Sequence, residues 1–132
     1  KRKSYGTIAY GLSITILIYF LWPECPSAVA AGILVMSFGD GFAGLFGSRL
    51  KSASWKILGQ KKSMIGTLTM GIITITTLFI INFFSNYSLN EIQIIELSFL
   101  AVSLEQIGAW GIDNLTVPLG VGFSWALMAG II

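Results

Sequence analysis

Long apolar stretches alternate with short polar breaks along this chain. Five stretches come close to the length of about 20 residues that a helix needs to cross a bilayer. These are Ser4–Trp22, Ser27–Phe46, Ser63–Phe84, Glu91–Ala109 and Leu115–Ile132. The breaks between them carry Pro, Asn and Ser, which commonly interrupt helices. The pattern therefore predicts an all-α, polytopic membrane protein with about five transmembrane helices.

The one longer break, residues 47–62, predicts a loop between the second and third stretches. No internal repeat or change of composition divides the 132 residues, so we expect a single transmembrane helical domain over 1–132. The chain begins with Lys1 rather than Met. We therefore expect an N-terminal portion of the protein to be missing from this sequence.

The composition excludes several classes of protein and of site. Hydrophobic residues make up 55% of the chain and charged residues 11%, more apolar surface than a soluble domain of this size can cover. The absence of His and the single Cys25 exclude imidazole ligands, an intrachain disulfide and a multi-cysteine metal site. The net charge of +2 gives no argument for binding nucleic acid.

The positions of the charges predict an orientation. All basic residues lie before the first stretch or around the long loop, and counting spans puts both groups on one side: Lys1, Arg2, Lys3, Arg49, Lys51, Lys56, Lys61 and Lys62. The opposite side carries Glu24, Glu91 and Glu96. Because basic loops stay inside, we expect the long loop on the cytoplasmic side.

Asp40, inside the second stretch, is the most informative residue for function. A charge at the centre of a membrane helix costs roughly 2.5–3.5 kcal/mol on insertion scales, so such an acid usually has a function. Helical spacing groups it with Ser37, Gly41, Gly44 and Ser48, about 9 Å from the predicted cytoplasmic end of its helix. The alternative is a satisfied buried polar group on a helix-packing face, with Gly44 and Gly47 as packing residues.

Glu105 is a second intramembrane acid, and Asp113 and Asn114 follow it just before the last stretch. Each has a structural alternative. The alternative for Glu105 is an ion pair with a nearby lysine that stabilises the fold. Asp113 or Asn114 is of a type that caps a helix beginning near Leu115.

Two lysines, Lys61 and Lys62, precede Ser63 at the start of the third stretch, and Gly66 and Thr67 follow. Lysines supply charge and a helix N-terminus supplies free N–H groups, a combination that suits phosphate. The alternative is that the lysines bind anionic lipid. Carboxylates and lysines gathered at one membrane face predict a Mg²⁺–polyphosphate site.

These motifs in this order resemble the phytol kinase and dolichol kinase family. The resemblance rests on Ser37–Arg49, Lys61–Thr67, Glu105 and Ile112–Leu119. It implies a polytopic membrane kinase that moves the terminal phosphoryl group of CTP, or another nucleoside triphosphate, to a long-chain isoprenoid alcohol.

The resemblance also implies roles for individual residues. Nucleotide and metal binding would fall to Gly39, Asp40, Gly41, Lys61, Lys62, Ser63, Gly66 and Thr67. Asp113 and Asn114 match an acidic–Asn pair, although relatives often show two adjacent acids where this chain has Ile112 and Asp113.

The leading hypothesis is phosphoryl transfer to phytol or a related alcohol, with Mg²⁺ as cofactor and membrane lipid around the spans. Asp40 and Asp113 would hold the metal, and Glu105 or Asp113 would serve as a second ligand or as the base. The further candidates at this face are Ser37, Arg49 and Asn114. Two alternatives stay open: cytidylyl transfer to a lipid phosphate, and a small transporter or assembly subunit that uses Asp40 and Glu105 as an ion or proton relay.

Overall fold

The computed structural model describes residues 6–22, 24–51, 53–57, 60–85, 89–107 and 113–130. Lys1, Arg2, Lys3 and Ile112, which the sequence singled out, lie outside the described residues. The backbones of Ser48, Lys61 and Asp113 are described, but their side chains are not.

Helices occupy all five predicted stretches. They are α1 (Gly6–Leu21), α2 (Pro26–Leu34), a π-helical turn (Val35–Asp40), α3 (Gly41–Arg49), α4 (Met64–Phe84), α5 (Glu91–Ile107) and α6 (Asp113–Met128). The second stretch is one helix in three parts, because α2, the π turn and α3 follow one another without a break.

Local sequence explains where several helices begin. Pro26 opens α2, at a position where its missing N–H costs no hydrogen bond. Asn90 and Gln93 cap α5 reciprocally, since each side-chain oxygen accepts from the other residue's backbone N–H at 2.8 and 3.0 Å.

The predicted loop instead contains an antiparallel hairpin, so the all-α prediction is wrong in this segment. Strand β1 (Ser54–Ile57) pairs with β2 (Gln60–Ser63), and Trp55 lies opposite Lys62. The segment is also shorter than predicted, because α3 continues to Arg49. The polar sequence of β2 carries no hydrophobic alternation that would have indicated a strand.

Helix α6 lies at the centre of the bundle and packs against α1, α2 and α5. Its Val117, Val121 and Trp125 are fully buried. Close contact with α2 depends on Gly32, where an added Cβ would lie 2.5 Å from the carbonyl oxygen of Pro118. The core therefore forms around α6, and the predicted site residues lie at one end of the bundle.

Two helices in the described part of the chain are long and apolar enough to cross a membrane: Pro26–Gly47 and Met64–Phe84. Gly6–Leu21 and Asn114–Met128 are apolar but shorter. The outer surface of α4 is apolar as well, with Ile72, Phe83 and Phe84 64%, 82% and 78% exposed. Large exposed apolar surface of this kind suits lipid rather than water.

Candidate functional site

Asp40 ends the π-helical turn and is half-buried. Single π turns inside α-helices occur frequently at functional sites. Helix α3 continues for nine residues to Arg49, so Asp40 lies about 14 Å from the helix end rather than the expected 9 Å. Arg49 is exposed in the last turn, where a cation is favoured by the helix dipole.

Tyr10 of α1 holds the π turn from the side. Its hydroxyl donates to the carbonyl oxygen of Ile33 at 2.9 Å and also bonds the hydroxyl of Ser37. Because the tyrosine proton goes to Ile33, Ser37 donates to the tyrosine oxygen. The sequence alone does not indicate this role of Tyr10, because nothing in its apolar stretch signals that the side chain reaches another helix.

One face of the π turn and α3 packs tightly against α4. A Cβ added to Gly39 would lie 2.6 Å from the sulfur of Met70, and one added to Gly47 would lie 3.3 Å from Cα of Gly66. A Cβ on Gly66 would in turn lie 3.4 Å from the carbonyl oxygen of Ala43. Small residues let helix backbones approach closely, so the packing interpretation is confirmed for Gly47.

A second face of the same helix is open. Gly41 and Gly44 are exposed, and a Cβ added at either would meet no described atom within 4 Å. Ser37 is exposed on this helix as well. Among the described residues nothing packs on Gly44, so its packing role stays a prediction. We call Gly41 and Gly44, with the half-buried Asp40 beside them, the open face.

The residues at the start of α4 are held within the protein. The Ser63 hydroxyl caps the helix by accepting from the backbone N–H of Gly66 at 3.0 Å. In α4, Thr67 lies about one helical turn before Met70. Met70 is close to Gly39, which directly precedes Asp40. Asp40 therefore lies roughly one helical turn (about 5 Å) deeper in the bundle than Thr67.

Lys62 forms an ion pair with Glu105 across the junction of β2 and α5. Its Nζ lies 3.0 Å from Oε2 of Glu105 and also donates to the Glu105 backbone carbonyl at 3.0 Å. The two side chains are only 11% and 13% exposed. The lysine partner considered for Glu105 in the sequence is therefore Lys62.

Gln106, which the sequence analysis missed, links this pair to its surroundings. Its amide NH₂ donates to Thr67 Oγ1 at 2.8 Å and to Glu105 Oε1 at 3.1 Å. Its carbonyl oxygen accepts from Nε1 of Trp55 at 3.1 Å. A glutamine beside an acid in an apolar helix was the available signal. We call Trp55, Lys62, Thr67, Glu105 and Gln106 the hairpin network.

The start of α6 lies beside α1. The Ser13 hydroxyl donates to the carbonyl oxygen of Asn114 at 3.1 Å. Helix α6 begins at Asp113, so Asp113 and Asn114 lie in its first turn rather than before it. Within the described side chains, which exclude that of Asp113, no cluster of three metal-ligating residues occurs.

The sequence of this chain is similar to that of a known phytol kinase, as the motifs predicted. It is 40% identical over 129 residues to a protein named phytol kinase from Synechocystis sp.. The match covers 95% of this chain and 55% of that protein, so the chain spans about half the length of its relative. No protein-family model and no solved structure matches the chain.

Proposed function

We propose that this chain forms part of an integral membrane kinase that phosphorylates a long-chain isoprenoid alcohol such as phytol. The phosphoryl donor is a nucleoside triphosphate, CTP first among the candidates. The observation that carries the proposal is the 40% identity to a phytol kinase over 95% of this chain.

All five predicted stretches cross the bilayer in this proposal, and the hairpin with its lysines lies on the cytoplasmic side. The apolar outer surface of α4 supports the membrane location, since side chains such as Phe83 would be unfavourable in water. Lys56 in strand β1 and Lys51 just before the hairpin are both exposed, which agrees with a basic cytoplasmic surface.

The open face is the proposed side for the reacting groups. A glycine inside a helix costs roughly 0.5–1 kcal/mol relative to alanine. Gly41 incurs this cost although no described atom lies within 4 Å of an added Cβ. Space without a packing partner beside an intramembrane carboxylate suits a bound substrate.

Mg²⁺ is the cofactor in this proposal. Asp40 and Asp113 would hold it, since carboxylate oxygens are its preferred protein ligands. When bound, the metal would neutralise triphosphate charge. Glu105 fits the metal less well than the sequence suggested, because its carboxylate already accepts from Lys62 and Gln106.

Lys62, with Lys61 beside it in β2, would contact the triphosphate. A lysine ammonium has three N–H donors, and two of those on Lys62 are used by Glu105. The third is left for a phosphate oxygen. In phosphoryl transfer most of the rate enhancement comes from positioning and charge stabilisation, which such fixed groups supply.

The test is an assay of the purified full-length protein in lipid. Phytol, farnesol and dolichol are each offered with CTP, ATP, GTP and UTP, and Asp40→Asn protein serves as the matched control. We expect a phosphorylated alcohol and a nucleoside diphosphate. Release of pyrophosphate would show cytidylyl transfer instead, and no product with any pair would contradict the proposal.

A further inference from the structure

Gln106 makes three side-chain hydrogen bonds that join three elements. Its two N–H groups donate to Thr67 of α4 and Glu105 of α5 at 2.8 and 3.1 Å. Its oxygen accepts from Trp55 of β1 at 3.1 Å. The amide has one favourable orientation, because rotating it by half a turn would set its N–H groups against the indole N–H.

The orientation of Gln106 fixes one oxygen of Glu105. Gln106 binds Oε1 of this carboxylate, and Lys62 binds Oε2 at 3.0 Å. A carboxylate held at both oxygens cannot rotate without breaking one of these bonds. The Lys62 ammonium, held also by the Glu105 backbone carbonyl at 3.0 Å, therefore has a fixed position and one N–H left over.

We propose that Gln106, held by Trp55 and Thr67, is a positioning residue that fixes Glu105 and thereby orients the remaining Lys62 N–H toward the nucleotide triphosphate. The inference rests on the proposed function, since it presupposes a nucleotide at Lys62. It assigns no contact between Gln106 and the substrate.

Trp55 gives the inference a second support. It lies directly opposite Lys62 in the hairpin register, so both side chains project from the same face of the two strands. Trp55 binds Gln106 and Lys62 binds Glu105, its neighbour in sequence. The hairpin is thus docked on the end of α5 by two adjacent residues.

The experiment compares three variants of the full-length protein in lipid. Gln106→Leu removes all three hydrogen bonds, and Trp55→Phe removes the indole N–H together with the five-membered ring that carries it, while an aromatic ring stays in place. Gln93→Leu is the matched control, because Gln93 lies on the same helix but caps its opposite end. Binding of labelled CTP is measured directly, alongside the KM for nucleotide, the KM for alcohol and the melting temperature.

We expect the nucleotide Kd and KM to rise about fivefold to tenfold in Gln106→Leu and about twofold to threefold in Trp55→Phe, the range of one to a few lost hydrogen bonds. The alcohol KM should stay within twofold. Gln93→Leu should lower the melting temperature without changing nucleotide binding.

Unchanged nucleotide binding in both hairpin-network variants would overturn the inference while leaving the proposed function intact. An equal rise in both KM values would also overturn it, because it would indicate general loosening. If Gln106→Leu does not fold, Trp55→Phe decides, since it keeps an aromatic ring. A wild-type protein that binds no nucleotide would overturn the inference together with the proposed function.

Discussion

The start of α4 and the open face of the neighbouring helix carry two of the segments on which the family resemblance rests, but they differ in how their residues are used. At the start of α4, Ser63 caps the helix, and Lys62 and Thr67 have partners on α5. On the open face, a Cβ added to Gly41 or Gly44 would meet no described atom within 4 Å.

This difference shows which of these residues are explained by contacts within the protein and which are not. The protein's own contacts account for Ser63, Gly66 and Thr67. They do not account for Gly41, which weakens its helix without allowing a closer packing contact. We therefore interpret the start of α4, where Lys62 keeps one N–H for the nucleotide, as the support of the site, and we propose the open face as the place where the reacting groups meet.

The largest expected effect follows from Asp40→Asn, which removes the charge of the open face while keeping the size of the side chain. We expect turnover to fall about a thousandfold, as when a key electrostatic group is lost from an active site. Glu96→Gln, on the exposed surface of α5, is the matched control and should retain full turnover. Undiminished activity of Asp40→Asn would remove Asp40 from the mechanism.

The next largest effect is expected on the free energy of unfolding when the Lys62–Glu105 ion pair is broken. Lys62→Ala leaves the mostly buried Glu105 carboxylate without its ion-pair partner, which should cost about 3 kcal/mol of unfolding free energy. The double variant Lys62→Leu/Glu105→Leu should be more stable than Lys62→Ala. Denaturant unfolding in detergent measures both, and a double variant no more stable than the single one would show that the unpaired Glu105 carboxylate is not the cause of the lost stability.

Two glycines three residues apart sharpen the comparison further. A Cβ at Gly47 would lie 3.0 Å from Ser63 Oγ, so Gly47→Ala should cost about 1–3 kcal/mol through overpacking. Gly44→Ala meets no described atom within 4 Å and should instead stabilise the helix by about 0.5–1 kcal/mol. Melting temperatures that shift in the same direction for both variants would contradict the assignment of the two faces.

The smallest effect is expected at Ser63. Ser63→Ala removes the cap of α4 and should cost about 1 kcal/mol, whereas Ser63→Gly should cost only a few tenths. The nucleotide KM should change little in either variant. A large rise in that KM with an unchanged melting temperature would instead make Ser63 a ligand of the nucleotide.

The helices could be predicted because apolar length alone indicates them, and the structure places a helix in each stretch. The hairpin could not, because β2 is polar and its docking depends on Gln106, which is distant in sequence. Sequence suggested a lysine partner for Glu105, but choosing Lys62 required the strand register. The π turn was also unpredicted, since it leaves no mark in the hydrophobic pattern.

The central claim, that the reacting groups meet on the open face, is tested most directly by Gly41→Leu. No described atom lies within 4 Å of a Cβ at this position, so the melting temperature should not fall. The account predicts that turnover nevertheless drops about a hundredfold, because bulk there displaces the reacting groups. Wild-type turnover by a stably folded Gly41→Leu protein would contradict it.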